Sequence, residues 1–577
     1  MAAFSARRLL RVPFVWTVCV LGLAAGPGSA EEKPTGAGKY VDLSLIVAPD
    51  YPATWPAPNF HPFFLNRYLR IGPLSAYNSE VLAIDENTGT QLDSPAHSVP
   101  PPGAPYEWAG EMGKITGDKI PAWQLCGEAC VIDCRALLDS IPKGQSPLVT
   151  AQHVKDWEAK HRPLKAGDVA LFASGYSDLY YQPFPAGHRF LNDPMNGKAP
   201  LWPDPDPGCM EYLAQKGVMT AGTDSPSMGP LPGPMAAATH LAGLKYGMCW
   251  TESVTGLLKL PTTGAFYCML GVKHLGGAGA ETRAFAITEP GLASRLIESA
   301  RKKQVVDLSV TLDEKLPTTS PGGESGAHRH PYLRKVLLTF EQTKGNGFAQ
   351  THFMDAHAGT HLVPPSYALP SANDPVPSYA PQIEDWLKRY EAKYGKRGTS
   401  DLTTEKIPLE QTCGRARVID VSRLIGSTAK NTWPNSPEIK VSDLQAYEQQ
   451  SGALSAGEVV IFKSGWSDRY YQEGEEGLAC MTDPLAGKSE GWPAPGPEAI
   501  AYLAGKGIRC VGTDAPTLGG TNPRQALWTY WALGGKGMVG VEFLTNVGKL
   551  PANSYFLFAP IKIEGCHGGP GRAIALY

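Results

Sequence analysis

Asp355-Ala-His357-Ala-Gly359-Thr360-His361-Leu-Val363-Pro-Pro365-Ser-Tyr367 sets two histidines four residues apart around a Gly-Thr turn and then closes on prolines. An earlier stretch, Asp85-Glu-Asn87-Thr-Gly89-Thr90-Gln91-Leu-Asp93-Ser-Pro95-Ala-His97, repeats the frame. It keeps the Gly-Thr and the later proline, carries amides at both histidine positions, and adds an Asp and a terminal His. Imidazole and carboxylate are donors for divalent metals such as zinc. The two stretches read as one metal-site motif, duplicated and then eroded differently in each copy.

The repeat runs far beyond the motif. Val41-Asp-Leu-Ser44 returns as Val306-Asp-Leu-Ser309, and Val131-Ile-Asp133 as Val418-Ile-Asp420. Farther on, Gly167-Asp-Val169 matches Gly457-Glu-Val459, Tyr176-Ser-Asp178 matches Trp466-Ser-Asp468, and Gly222-Thr-Asp224 matches Gly512-Thr-Asp514, all 290 residues apart. A period this long is a domain duplication and not a solenoid. The expected organisation is a leader over residues 1–30, a first domain over 31–300 and a second over 301–577.

With 42% hydrophobic and 19% charged residues, each unit can form its own core. A net charge of −3 gives no electrostatic case for nucleic acid or an anionic membrane. The first 30 residues place Arg7, Arg8 and Arg11 before an apolar run from Phe14 to about Ala25, then Gly28-Ser29-Ala30. That is the layout of a secretory signal peptide, with a mitochondrial presequence as the alternative. No later apolar run is long enough to span a bilayer. Of the ten cysteines beyond Cys19, only Cys126 and Cys413 share a repeat position, so no inherited disulfide framework follows. Cys126, Cys130 and Cys134 sit in an apolar, strand-like run, which favours buried or disulfide-bonded cysteine over a zinc cluster.

Short β-rich runs alternate with helical stretches in both units. Val169-Ala-Leu-Phe-Ala and Val459-Val-Ile-Phe predict buried strands; Met210–Gly217 and Ala499–Gly507 predict glycine-terminated helices, each followed by a strand. This is α/β patterning. Between the motif and the Lys-Ile-Pro turn the second unit is longer, and the surplus carries Ile383, Trp386, Leu387, Tyr390 and Tyr394 at helical spacing. A surface helix on its own domain is expected there, with a partner-binding or pocket-covering helix as the alternative.

The remaining metal donors must come from elsewhere in each unit. His240 opens a helical run and Glu252 follows twelve residues later on a β-like stretch; the second unit has Tyr530 and Glu542 at that spacing. The first site then comprises Asp93, His97, His240 and Glu252 with Asn87 and Gln91. The second comprises His357, His361 and Glu542 with Val363, Tyr367 and Tyr530. The Gly-Thr-Asp-x-Pro segments at Asp224 and Asp514 read as structural Asx turns.

On these residues the chain resembles the putative cyclase family of metal-dependent hydrolases, which includes bacterial-type kynurenine formamidase and isatin hydrolase. The family signature is H-x-G-T-H-x-D-x-P-x-H, followed by later His and Glu ligands. The resemblance covers both units. The first departs at both leading histidines; the second departs at the Asp, the closing His and the later His. It implies two tandem swivelling β/β/α domains packed as an internal pseudo-dimer, with amidase or lactamase chemistry at zinc or manganese. Carried over residue by residue, it implies metal ligation by Asp93, His240 and Glu252, a weak contribution from Gln91, and His97 as general acid/base. In the second unit it implies ligation by His357, His361 and Glu542.

Two functional classes follow. One is a secreted or organellar hydrolase of a small amide, formamide or lactam, with N-formylkynurenine as the substrate the resemblance suggests. The other is a catalytically inactive, secreted pseudoenzyme that binds a ligand or matrix.

Overall fold

The apolar runs around Val169 and Val459 become the central strands Asp168–Ala173 and Glu458–Lys463, almost entirely buried, as their composition predicts. Around the first, the strand order is Tyr40–Asp42, Gly279–Ile287, Phe266–Gly271, Cys126–Asp133, Asp168–Ala173, Thr220–Thr223, Cys249–Glu252, Gln91–Asp93. Gly279–Ile287 also pairs with Gln91–Asp93, so seven of these strands close into a ring. The second half repeats the ring, and Gly569–Leu576 closes it against Tyr555–Pro560. Leu92, Val169, Leu171, Tyr267 and Met269 fill the first ring; Leu362, Val459, Ile461, Val541 and Phe558 fill the second. The chain is thus α/β, with two tandem domains. The computed structural model describes residues 39–56, 60–140, 144–321, 329–373 and 378–577, so the leader read over residues 1–30 lies outside them.

Helices cover each ring. Ala151–Lys160, Pro207–Gln215 and Gly233–Leu244 pack on the first through Val154, Trp157, Met210, Leu213 and Leu244. The helix of the longer connection forms over Pro381–Tyr394 and packs on its own half: Ile383, Trp386 and Leu387 lie against the core, and the Tyr390 ring is 5.4 Å from Trp531. All ten described cysteines are buried and unpaired, and Cys126–Asp133 is a strand. Among the described residues no helix is long and apolar enough to cross a membrane.

A separate four-stranded sheet joins the halves. Its order is Leu333–Leu338, Ala349–Asp355, Ser79–Asp85, Phe64–Leu69, so the inner pair takes one strand from each half. Each inner strand runs directly into its own half's motif turn. There Gly89 takes φ +63°, and a Cβ on it would lie 2.8 Å from Val47; Gly359 takes φ +56°, with Leu312 at 2.3 Å. Both turns therefore require glycine. The adjacent threonines are equally fixed. Thr90 Oγ1 accepts from Leu45 N at 2.9 Å and donates to Ser253 O at 2.7 Å, while Thr360 Oγ1 accepts from Val310 N at 3.0 Å and donates to Phe543 O at 2.7 Å. The Gly-Thr shared by both motifs is a device for anchoring the turn.

Replacing Thr90 by Val strands a buried amide and a buried carbonyl, each of which costs about 1–3 kcal/mol when unsatisfied. Equilibrium denaturation of Thr90→Val should show a loss in that range, with Thr360→Val behaving alike. Wild-type midpoints in both variants would show that the hydroxyls do not anchor the turns.

Candidate functional site

The first-half site is assembled by strand register. Gln91–Asp93 pairs antiparallel with Cys249–Glu252, setting Asp93 opposite Trp250 and Gln91 opposite Glu252. Side chains alternate along a strand, so these four project from one face. His97 follows on the short helical turn Pro95–His97. His240 was expected to open its helix but lies toward the far end of Gly233–Leu244, because the alanine run Ala236-Ala-Ala238 carries the helix upstream to Gly233, with Pro234 in its first turn. The site itself is unaffected by that shift.

Four groups converge. His240 Nε2 lies 3.6 Å from Asp93 Oδ2 and 3.5 Å from Glu252 Oε1, and His97 Nε2 lies 3.9 Å from Asp93 Oδ2. His240 Nδ1 is held by the carbonyl of Ala236 at 2.9 Å, which aims Nε2 at the two carboxylates. Trp250 Nε1 donates toward both carboxylates at 3.2 and 3.3 Å; Met228 N donates to Glu252 Oε1 at 2.6 Å, and Gln91 Nε2 donates to Glu252 Oε2 at 2.8 Å. Gln91 therefore orients Glu252 through its amide nitrogen. Asp93 Oδ1 is buried with no hydrogen-bond partner, as is Asn87 Nδ2.

The buried charges act strongly on one another. Burial raises the Glu252 carboxyl to about 7, with the Asp93 charge adding to the effect. Burial alone would lower the His240 imidazole, but its contacts with Asp93 and Glu252 outweigh that and raise it to about 10. Burial holds the His97 imidazole below its ordinary value, and the neighbouring His240 acts in the same direction, so His97 is a neutral base at pH 7. Two carboxylates, two imidazoles and an unpartnered Asp93 oxygen suit a divalent ion such as zinc or manganese.

The second-half site has the same register and different chemistry. His361 stands opposite Glu542, while Val363 opposite Gly540 replaces Asp93 opposite Trp250. His361 Nε2 is 3.2 Å from Glu542 Oε2, and Tyr530 donates to Glu542 Oε1 at 2.7 Å. His357 is engaged elsewhere. Arg329 donates to His357 Nδ1 at 2.8 Å, to Asp355 at 3.1 Å, to Ser79 Oγ at 2.8 Å and to the Tyr367 hydroxyl at 2.8 Å. Because a guanidinium only donates, Nδ1 of His357 accepts, and the ring proton sits on Nε2. Burial and the Arg329 charge push this imidazole well below its ordinary value. The Asp355 carboxyl, which burial would raise, is held below the usual carboxylate range by Arg329 and His357.

Among the described residues, two sets of at least three His, Cys, Asp or Glu bring ligand atoms within 4.8 Å of one another: Asp93, His97 and His240, and a separate set of His274, Glu281 and His352. His357, His361 and Glu542 do not form one. Arg329 had no signal in the sequence, since nothing in the repeat marks it. Ser79 and Tyr68, whose hydroxyl donates to Asp355 Oδ2 at 2.5 Å, reach the second site from the first half. The Gly-Thr-Asp-x-Pro carboxylates are structural, but they do not form Asx turns on their own backbone. Asp224 accepts from the amides of Ser174 and Gly175, and Asp514 from those of Ser464 and Gly465.

A family model described as "Putative cyclase" matches residues 41–230 and 306–519. Isatin hydrolase of Roseibium aggregatum is 34% identical over 175 residues, which cover 28% of this chain and 64% of that enzyme. The chain thus spans under two thirds of this relative's length. Isatin hydrolase A from Ralstonia solanacearum aligns in structure at 25% identity over 50% of this chain and 96% of its own, with a TM-score of 0.37. Isatin hydrolase A from Labrenzia aggregata, bound to benzyl benzoate, aligns at 23% identity over 47% and 93%, with a TM-score of 0.35.

Removing Arg329 leaves Asp355 buried without its cation, a change that costs about 3–5 kcal/mol. Asp355 has a depressed folded-state pKa, so its pairing contributes stability above the unfolded value near 3.9 and loses it as pH falls through the folded value. Urea midpoints of wild type and Arg329→Met should therefore differ widely at pH 7 and draw together in acid. A gap independent of pH would show that Arg329 does not stabilise the Asp355 carboxylate.

Proposed function

The chain belongs to the Putative cyclase family, and from that premise we propose that it is a divalent-metal-dependent hydrolase acting on a carbon–nitrogen bond of a small amide, formamide or lactam, with its active site in the first half. One observation carries the reading: Asp93, His97 and His240 bring ligand atoms within 4.8 Å of one another, Glu252 Oε1 lies 3.5 Å from His240 Nε2, and the buried Asp93 Oδ1 has no partner. Asp93, His240 and Glu252 would hold the ion, zinc or manganese by donor type. When bound, such an ion lowers the pKa of water toward neutrality and polarises a carbonyl. The protein's own groups supply the rest. Gln91, Trp250 and the Met228 amide fix the Glu252 carboxylate, and Ala236 fixes the tautomer of His240. His97, neutral and 18% exposed, can take a proton at its free nitrogen and return it to the leaving amine.

The substrate class rests on two supports. The relative named isatin hydrolase favours a lactam, and the motif resemblance adds a formamide such as N-formylkynurenine. The second half is the structural partner: Phe348 N donates to the His97 carbonyl at 2.8 Å, and Ser98 Oγ donates to Asn346 O at 3.0 Å. We read the two halves as an internal pseudo-dimer. The Arg-bearing, apolar start supports a secreted or organellar location. A binding pseudoenzyme is the second reading, favoured by the amides Asn87 and Gln91 at the first half's two histidine positions and by Arg329 in the second half.

Purified protein loaded with zinc or manganese should open isatin or deformylate N-formylkynurenine. His97→Ala should lower turnover roughly 10²-fold, the scale of a lost general acid/base. Asp93→Ala should lose the first-half metal equivalent together with activity, and Tyr367→Phe should change little. No turnover of either compound by metal-loaded protein would transfer the assignment to the binding reading. Activity that survives Asp93→Ala would place catalysis elsewhere.

A further inference from the structure

We propose that the seam between the halves holds a second divalent metal ion, bound by His274, Glu281 and His352 with Glu86 beside them. The candidate ligand atoms of the first three lie within 4.8 Å of one another, and all four residues are at most 1% exposed. His274 Nε2 is 2.8 Å from Glu281 Oε2, and His352 Nε2 is 3.4 Å from Glu86 Oε1. The two imidazole rings stack 3.6 Å apart, 5° from parallel, and both turn Nδ1 to the Tyr332 hydroxyl, so the Nε2 contacts lie on the opposite side of the stack from that hydroxyl.

Charge calls for a cation here. Asp85, Glu86 and Glu281 are all buried, and among the described residues none has a Lys or Arg within 4.0 Å. Glu281 Oε1 and Asp85 Oδ2 are buried without any hydrogen-bond partner. Glu86 Oε2 accepts from the amides of Ala278 and Gln350 at 3.2 and 3.0 Å, yet burial still raises the Glu86 carboxyl well above its ordinary value and Asp85 to about 7, so these groups need a proton or a cation. A divalent ion between Glu281 and Glu86 would neutralise both.

The duplication provides an internal control. His274 bridges to Leu312 as Ile563 bridges to Val47, which identifies His274 with Ile563. By the same correspondence His352 matches Leu82, Glu86 matches Ala356 and Tyr332 matches Phe63, and these four partners belong to one apolar cluster. The fold packs this position with hydrocarbon in one half. Glu281, opposite Gln91, corresponds to Pro570, opposite His361, so nothing in the architecture demands two histidines and two carboxylates in the other half.

Hydrogen-bond accounting agrees. The Tyr332 hydroxyl lies 3.0 Å from His274 Nδ1 and 2.8 Å from His352 Nδ1. With an ion on the Nε2 side, both rings carry their proton on Nδ1 and both donate to the one hydroxyl oxygen, which has two acceptor sites. For both Nε2 lone pairs to reach one ion, the parallel rings must splay. Nitrogen and oxygen donors without thiolate select zinc or manganese rather than a soft ion. The competing account is a metal-free chain of shared protons from Glu281 through His274, Tyr332 and His352 to Glu86.

Elemental analysis of full-length protein supplied with zinc and manganese separates the two. Asp93→Ala/His240→Ala, which disables the first-half site, should still hold about one tightly bound equivalent per chain. Adding His274→Ile and His352→Leu, the residues of the matching position, should remove it. In case the fourfold variant fails to fold, cobalt-loaded Asp93→Ala/His240→Ala should show visible d–d absorption and two imidazole ligands by X-ray absorption. Metal absent from the double variant, metal retained after the histidines are replaced, or cobalt without imidazole ligands would each overturn the site. Because the first-half ligands are already removed, failure of the hydrolase reading and failure of this one are distinguishable.

Discussion

A carboxylate removed from water must meet a cation, accept a proton or lose stability, and that constraint shapes each polar centre of this protein. In the first half, Asp93 and Glu252 close on His240 and leave one oxygen open. In the second half, Asp355 meets Arg329, a cation supplied by the chain itself. At the seam, Glu86 and Glu281 face histidines, and Glu86 also accepts from the amides of Ala278 and Gln350. A guanidinium is a permanent, non-exchangeable cation that fills its site with donors. The second half has therefore solved the electrostatic problem in a way that closes His357 to a metal, while in the first half the cation facing Asp93 and Glu252 is the His240 imidazolium, which can exchange its proton.

Duplication lets structural and chemical residues be told apart within one molecule. Arg283 pairs with Asp42 as Arg572 pairs with Asp307, and Asp224 anchors Ser174 as Asp514 anchors Ser464. These pairs survive in both halves because each ring needs them to hold its loops. The positions that differ, Asn87 against His357, Asp93 against Val363 and His240 against Tyr530, all project into the sites.

The repeat, the buried central strands and the convergence of His240 and Glu252 on the motif were legible because each depends on local pattern: period-two burial, a helix followed by a strand, and a shared offset. The helix start before His240 was misplaced, since alanines and an N-terminal proline carry helix propensity without amphipathic periodicity. The seam sheet was not legible at all. Its inner pairing joins residues about 270 apart, and strand partners at that separation leave no trace in local composition. Arg329 was invisible for the same reason: its partners Ser79, Asp355, His357 and Tyr367 converge only after the halves dock.

Docking also makes the polar centre of each half depend on the other. Ser79 and Tyr68 of the first half complete the Asp355 centre, and backbone around Asn346 and Phe348 of the second half holds the turn that carries His97. The pairing between the inner seam strands further ties the register of one motif to that of the other. A one-residue slip would turn every side chain of the strand to the opposite face. Losing the second half would therefore expose the seam edge of Ser79–Asp85 and free the turn at His97 together. The second half thereby fixes geometry on which the first half's site depends.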